Sequence, residues 1–138
     1  MHFRGQPPPS VTALSLDAAF PGWWMHEGGQ LSTGQLIDFI ITTHSAYPEL
    51  KERVKQEGKA IHIVLLDLLE KLRHENHVGS SYTELTKRIH FYPDCHGNRS
   101  PIADPRMRGS IVGLELESFI ADLARKYYLT LEAIALQT

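Results

Sequence analysis

Six apolar residues in the middle of the chain recur at intervals of three and four positions. They are Ile61, Val64, Leu65, Leu68, Leu69 and Leu72. Side chains spaced in this way lie along one face of an α-helix, so the pattern predicts an amphipathic helix of about four turns that ends by Gly79. A helix with such a continuous apolar face must bury that face against other elements. We therefore expect it to be the central helix of the fold.

Two further helices are predicted ahead of the central one. Ser32 and Gln35 have the spacing of a capping box, and apolar residues at helical spacing follow over residues 33–44. Pro48 suits the first turn of a second, largely charged helix, because its missing N–H would be unpaired there in any case. Gly58 ends this second helix, or else it lies inside one long helix that includes the central one.

Helices are also predicted near both ends of the chain. A short helix over residues 11–20 stops at the Pro-Gly pair that follows it. Ser81 and Glu84 form a second capping box, and the helix after it stops before Pro93. The last helical segment has one apolar face, which is made of Val112, Leu116, Phe119, Ile120, Leu123 and Tyr127.

The remaining pattern decides the predicted fold class. Residues 91–109 hold three prolines and two glycines, so regular structure is not expected there. The chain has no strand-like alternation long enough for a sheet and no internal repeat. The sequence therefore predicts an all-α fold, a compact bundle of five or six helices with one long irregular loop at residues 91–109. Residues 1–10, with three consecutive prolines, are predicted to be a flexible N-terminal arm, and residues 11–138 a single helical domain.

Composition narrows the function classes. The 138 residues carry a formal net charge of -2, so no global positive field attracts a phosphate backbone. Cys95 is the single cysteine and has no intramolecular partner for a disulfide, which favours a reducing, cytoplasmic location. No stretch approaches the ~20 consecutive apolar residues of a transmembrane helix, so no membrane partner is expected.

One cluster of residue types is compatible with a metal site. Glu70, His74 and His77 are spaced to share one face at the end of the central helix, and Cys95 and His96 could complete a ligand set. The signatures of known zinc and di-iron sites are absent, so no cofactor is assigned and a metal ion remains an alternative. The other interpretation is that these histidines are exposed polar residues near a helix C-terminus, where a positive imidazole interacts well with the helix dipole.

A second cluster is basic. Between residues 87 and 108 five basic residues stand against two acidic ones. A nucleic-acid-associated protein would use the five basic residues, which are Lys87, Arg88, Arg99, Arg106 and Arg108. The alternative is a solvated loop whose arginines pair with nearby acidic helices. The adjacent Cys95 and His96 do not form a catalytic dyad, because neighbouring side chains usually diverge.

The C-terminal residues resemble a helix-turn-helix of the bacterial regulator type. Ala124 would lie in the first helix, Leu129-Thr130 at the turn and Ile134 in the second helix. The resemblance covers about twenty residues and departs from the family at Tyr128, where that turn prefers glycine. The second helix, residues 131–138, has no Lys or Arg to contact DNA. Two packed helices joined by a tight turn are the alternative.

The leading hypothesis from the sequence is a small helical binding or regulatory protein that acts through protein contacts, as a homo-oligomer. No catalytic set is recognised, so the sequence favours a protein that is not an enzyme. The predicted interface residues are aromatic or apolar: Trp23, Trp24, Tyr127, Tyr128 and Leu131.

Overall fold

A computed structural model describes residues 2–3, 14–17, 19–26, 32–79, 81–99, 102 and 104–137. It contains five helices and five short strands within those residues. In chain order they are β1 (His2–Phe3), β2 (Leu14–Leu16), β3 (Trp24–His26), α1 (Thr33–Thr43), α2 (Tyr47–Glu57), α3 (Ile61–Glu75), α4 (Thr83–Thr86), β4 (His90–Tyr92), β5 (Ser110–Val112) and α5 (Ile120–Gln137).

The strands correct the all-α prediction. β1, β3 and β2 form an antiparallel sheet in that order, and β4 and β5 form an antiparallel hairpin. Leu14–Leu16 pairs with Trp24–His26, so the predicted helix over residues 11–20 is wrong where the structure describes it. Residues 11–13 and 18 of that helix, and residues 4–10 of the predicted arm, lie outside the described residues.

The first two helices follow the prediction closely. α1 occupies Thr33–Thr43, but Ser32 has a left-handed backbone (φ 55°) and makes no capping hydrogen bond, so the predicted capping box does not form. α2 has Pro48 in its first turn and ends at Gly58, whose φ of 63° and N–H bond to the Val54 carbonyl are typical of a helix C-terminus. Gly58 is thus a stop and not an internal residue of one long helix.

The predicted stripe of α3 is confirmed as core. Val64, Leu65 and Leu69 are almost completely buried, and they pack with Leu123 of α5. The helix ends at Glu75, four residues before Gly79. The most central element is nevertheless α5, because it contacts α1, α2, α3, α4 and β4.

The C-terminal segment differs most from its prediction. α5 is one continuous helix of 18 residues, so there is no turn at Leu129-Thr130 and no helix-turn-helix. Val112 belongs to β5, and Leu116 lies fully exposed between β5 and α5 instead of on the helix. The helix predicted after Ser81 is a single turn, α4. No helix in the described part of the chain is both long enough and apolar enough to cross a bilayer.

Candidate functional site

The loop over residues 93–109 connects β4 to β5 and folds back on itself around two buried polar side chains. Asp94 and Asn98 are 6% and 4% exposed, and the Asn98 side-chain N–H donates to Asp94 Oδ2 over 2.7 Å. The Asn98 side-chain oxygen accepts a hydrogen bond from the Ile102 backbone N–H (2.9 Å). The backbone N–H of Asn98 donates to the Asp104 carbonyl (2.9 Å), so Asn98 joins the two halves of the loop.

Two glycines allow this close packing. Gly97 has φ 84°, and a Cβ there would lie 2.7 Å from the Pro105 Cα. A Cβ at Gly109 would overlap Cys95 Sγ and lie 3.0 Å from the Tyr92 carbonyl oxygen. Only glycine fits these approaches without a shift of the backbone, so the compact loop requires both.

A cavity of about 580 Å³ separates this loop from α1. It is lined by Gln35, Leu36, Phe39, Cys95, His96, Arg108 and Gly109. One wall comes from the first two turns of α1 and the other from the folded loop. Phe39 is 55% exposed and presents an aromatic surface, whereas His96 and Arg108 bring cationic or donor groups to the opposite wall.

Among the described residues, α1 contributes no charged side chain to the lining of the cavity. No acidic residue lies in its first turn, and Ser32 does not cap its N–H groups. Gly34 has nothing within 4 Å of the position that a Cβ would take. Free N–H groups at a helix N-terminus, together with the helix dipole, favour a bound anion such as a phosphate.

Cys95 contributes to the shape of the cavity and not to nucleophilic chemistry. Burial raises the pKa of its thiol, and the nearby Asp94 carboxylate raises it further, although a backbone contact with Gly109 opposes them. A cysteine of this kind stays protonated at neutral pH and is a weak nucleophile.

The residues of the predicted metal site do not form one cluster. Glu70 binds Arg73 through both carboxylate oxygens (2.5 and 3.0 Å) and accepts the Tyr82 hydroxyl (2.8 Å). His74 contacts the same carboxylate at 3.0 Å and is mostly exposed, and His77 follows the helix end with φ 52°. Cys95 and His96 belong to the cavity of the loop. Among the described residues, no three His, Cys, Asp or Glu side chains converge as metal ligands would.

The five predicted basic residues are also dispersed. Lys87 pairs with Glu84, three residues earlier, and Arg106 with Asp104 inside the loop itself, not with an acidic helix as the solvated-loop alternative expected. Arg88 lines a separate cavity near the end of α3, whereas Arg108 lines the cavity beside α1 and donates to the carbonyls of Pro105 and Met107. Arg99 is exposed on the loop.

The predicted interface residues divide between sheet and core. Trp23 is 36% exposed and Trp24 lies in β3. Tyr127 is buried and stacks on His62 with ring centroids 5.7 Å apart. Tyr128 meets Tyr82 edge to face, and Leu131 packs against the core.

Sequence reasoning did not identify Gln35, Leu36 and Phe39 as cavity residues. Phe39 was counted among the apolar residues of α1, and its exposure was not foreseen. The sequence gives no sign that Asp94 and Asn98 are buried, and Asp94 reaches its partner Gln137 only through the tertiary contact with α5. One signal was available, namely the two glycines inside a Pro-rich loop, which indicate close backbone packing.

Comparison with known proteins gives the site its context. The model for the C-terminal domain of the FGGY family of carbohydrate kinases matches residues 4–138. An FGGY carbohydrate kinase domain-containing protein of Xenopus laevis is 42% identical over 130 residues, which are 94% of this chain and 23% of that protein. The human protein of the same description is 40% identical over 130 residues, again 94% of this chain and 23% of that protein. A D-ribulokinase of Saccharomyces cerevisiae is 43% identical over 122 residues, or 88% of this chain and 17% of that protein.

These matches define an α/β fold of the sugar-kinase class. The chain belongs to the FGGY family of carbohydrate kinases, within its C-terminal domain. It spans about a quarter or less of the length of the curated relatives that it matches. Membership of an enzyme family overturns the expectation of a regulatory, non-enzymatic helical protein. It likewise overturns the nucleic-acid-binding alternative, and the His, Cys and Glu ligands of the metal alternative, a metal-binding protein or metal-dependent enzyme, do not converge among the described residues.

Proposed function

We propose that this chain is part of a carbohydrate kinase that transfers the terminal phosphoryl group of ATP to a hydroxyl group of a ketose. The observation that carries the proposal is the family match over residues 4–138. The yeast relative is named a D-ribulokinase, and more distant relatives are named ribulokinases, so D-ribulose is the first sugar to test.

The cavity between α1 and the loop is our candidate for the nucleotide-binding part of such an enzyme. Its apolar surfaces, Leu36 and Phe39, suit a planar base, and His96 and Arg108 suit phosphate oxygens. The Ser32 side chain does not cap the first turn of α1, and Gln35 of that turn lines the cavity, so backbone N–H groups there would suit a phosphate. The volume of about 580 Å³ is within the usual range for sites that bind small ligands.

In the proposed reaction a hydroxyl oxygen of the sugar forms a bond to the terminal phosphorus of ATP, the bond from that phosphorus to the bridging oxygen breaks and ADP leaves, and the hydroxyl proton passes to a general base or to water. Such reactions depend mainly on positioning and on stabilisation of the phosphate charge. Arg108 and the first turn of α1 would hold the nucleotide, and the loop would keep water from its apolar side. Kinases commonly use Mg²⁺, but the described residues bring no carboxylate cluster to this cavity, so we derive no step through a metal from this chain.

The test uses the complete gene product that contains this chain, with ADP release measured for D-ribulose, L-ribulose and glycerol. We expect ATP-dependent turnover that is fastest with a ribulose. Arg108→Ala should raise the KM for ATP about 10- to 100-fold, because a charge-assisted hydrogen bond contributes about 1.5–3 kcal/mol.

Arg106→Ala is the matched control for this test. Arg106 lies in the same loop but pairs with Asp104 at the surface, and its KM for ATP should stay within about twofold of the wild-type value. Turnover with none of the sugars would reject the kinase proposal. An equal effect of the two substitutions would reject the assignment of the cavity to the nucleotide.

A further inference from the structure

Asp94 is buried in the loop but is absent from the cavity lining, and its carboxylate binds three different parts of the fold. Oδ2 accepts from the Asn98 side chain at 2.7 Å, and Oδ1 accepts from the side chain of Gln137, the last residue of α5, at 3.2 Å. The hydroxyl of Tyr92 at the end of β4 also hydrogen-bonds to Asp94, which raises the pKa of Tyr92. Both carboxylate oxygens are therefore engaged, as burial of a charge requires.

These bonds determine where the loop can lie. The Gly97 N–H donates to the Asp94 carbonyl at 3.1 Å, which closes the first turn of the loop. Asn98, held by Asp94, fixes the second half of the loop through the backbone of Ile102 and Asp104. Arg108 then bonds to the backbone at Pro105, so its position depends on that second half.

The cavity wall is built from the residues that directly follow these anchors. Cys95 and His96 come next after Asp94, and Arg108 comes after the segment that Asn98 holds. A movement of the Asp94 carboxylate would shift both groups together relative to α1. A change at Gln137 would act through the same carboxylate, so the end of α5 is connected to the cavity without contact with any ligand there.

We propose that Asp94 is a positioning residue. Its buried carboxylate sets the distance between α1 and the cavity wall that carries His96 and Arg108. It also connects that wall to Gln137 at the end of α5. The assignment of a nucleotide as the ligand of the cavity rests on the function proposed above. The positioning role itself concerns only this chain's own groups and can be measured without a ligand.

The experiment compares Asp94→Asn with Asp104→Asn in the complete gene product. Asp104 is a partly exposed carboxylate of the same loop that binds Arg106 at the surface, so it is a matched control. Asp94→Asn keeps the shape of the side chain but replaces one acceptor oxygen with a donor, so the side chain no longer accepts from both Asn98 and Gln137 in their present orientations. The near-isosteric change preserves the fold, which the melting temperature checks.

Cys95 is the only cysteine of this chain and serves as the local probe. In a background where any other cysteines of the gene product are replaced by serine, we expect its reaction with an aromatic disulfide reagent to be at least 10-fold faster in Asp94→Asn. It should be unchanged in Asp104→Asn. The KM for ATP should rise severalfold more than kcat falls, because the wall is displaced while the reacting groups elsewhere are intact.

A double variant, Asp94→Asn with Asn98→Asp, exchanges donor and acceptor and should restore a slow thiol reaction and the KM. A role limited to overall stability would instead lower the melting temperature of Asp94→Asn and leave the Cys95 reaction rate and the KM for ATP near their wild-type values. An unchanged thiol rate in Asp94→Asn, or a failure of the double variant to restore it, would overturn the positioning role. A third outcome separates the two proposals. If Cys95 reacts faster in Asp94→Asn but ATP does not slow the reaction of Cys95 in the wild-type protein, the positioning role is supported and the nucleotide assignment is rejected.

Discussion

His44 Nε2 lies 2.9 Å from Asp122 Oδ2, and this contact joins the C-terminal end of α1 to the first turn of α5. The other ring nitrogen, Nδ1, accepts the Ala46 backbone N–H at 3.1 Å. The hydrogen of the neutral ring is therefore on Nε2, from which it is donated to Asp122. Lys126 approaches the same carboxylate oxygen at 2.6 Å, so the buried negative charge is balanced.

Substitutions at this contact should show energetic coupling. Asp122→Ala should lower the free energy of unfolding by about 3–5 kcal/mol, because the Lys126 charge and the His44 N–H lose their partner in a buried site. His44→Ala alone should cost about 1–3 kcal/mol. Denaturant unfolding of the two single variants and the double variant should give a coupling energy of at least about 0.5 kcal/mol.

Ser45→Ala is the control for that cycle. The Ser45 hydroxyl makes an exposed 3.3 Å bond to the Ser118 carbonyl next to the same junction, and its removal should cost under about 0.5 kcal/mol. If the losses of unfolding free energy in His44→Ala and Asp122→Ala simply add in the double variant, the contact does not hold the two helices together.

Glu70 should make the free energy of unfolding depend on pH in acidic solution. The Arg73 guanidinium and the Tyr82 hydroxyl lower the pKa of Glu70 from 4.5 to about 2. A carboxyl whose pKa is lower in the folded state stabilises the fold above its unfolded pKa, and this contribution is lost as the pH falls from about 4.5 to about 2. Unfolding of Glu70→Gln should therefore vary less with pH in that window than unfolding of the wild type.

Glu52→Gln provides the comparison, because Glu52 is an exposed glutamate of α2. Its unfolding free energy should follow the wild-type pH curve between pH 2 and 5. If Glu70→Gln follows the wild-type curve equally well, the contacts of Glu70 with Arg73 and Tyr82 do not stabilise the fold.

Gly113 should not accept alanine. It has φ 87°, and a Cβ would collide with the carbonyl oxygen of Arg88. Strain and overlap with backbone together should lower the free energy of unfolding by about 2–4 kcal/mol. Gly79→Ala, where nothing lies within 4 Å of the new Cβ, should change it by less than about 0.5 kcal/mol. Equal thermal denaturation curves for the two variants would contradict the close approach of β5 to Arg88.

The apolar stripe of α3 gives a test of the core. Leu69 is completely buried, so Leu69→Ala should cost about 2–5 kcal/mol through lost burial and the cavity that remains. Leu66 lies on the other side of the same helix and is 38% exposed, so Leu66→Ala should cost much less. Chemical denaturation that ranks the two variants equally would contradict the orientation of α3.

Much of the helical part was predictable because local signals and tertiary packing agree there. The apolar spacing predicted α1 and α3, and Pro48 predicted the start of α2, whereas the sequence left open whether Gly58 ends that helix. The strands were not predictable in this way, since runs of two or three residues are too short to show alternation.

Thr130 explains the error in the last helix. The helix-turn-helix resemblance places it at a turn, where threonine often caps the next helix, but its hydroxyl donates to the Lys126 carbonyl one turn earlier, within a continuous helix. Threonine makes either bond, and neighbouring residues decide between them. Here Leu129 and Ala133 are buried on both sides of Thr130, so packing favours the unbroken helix.

The candidate site was only partly predictable. The irregular loop was recognised from its prolines and glycines, and His96 and Arg108 were noted within it. Their shared cavity depends on α1, some 60 to 70 residues earlier in the chain, and on the burial of Asp94 against Gln137. Such long-range contacts leave no periodic signal in the sequence.

The contacts of α5 also bear on synthesis at the ribosome. This helix packs on α1, α3 and β4, yet it is the last described element to be made. At about 5–20 residues per second, α1 emerges roughly 5 to 20 seconds before α5 is available. During that interval α5 cannot cover its share of the apolar faces of α1 and α3, so chaperones that bind nascent chains would meet these two helices while that part of each face is still open.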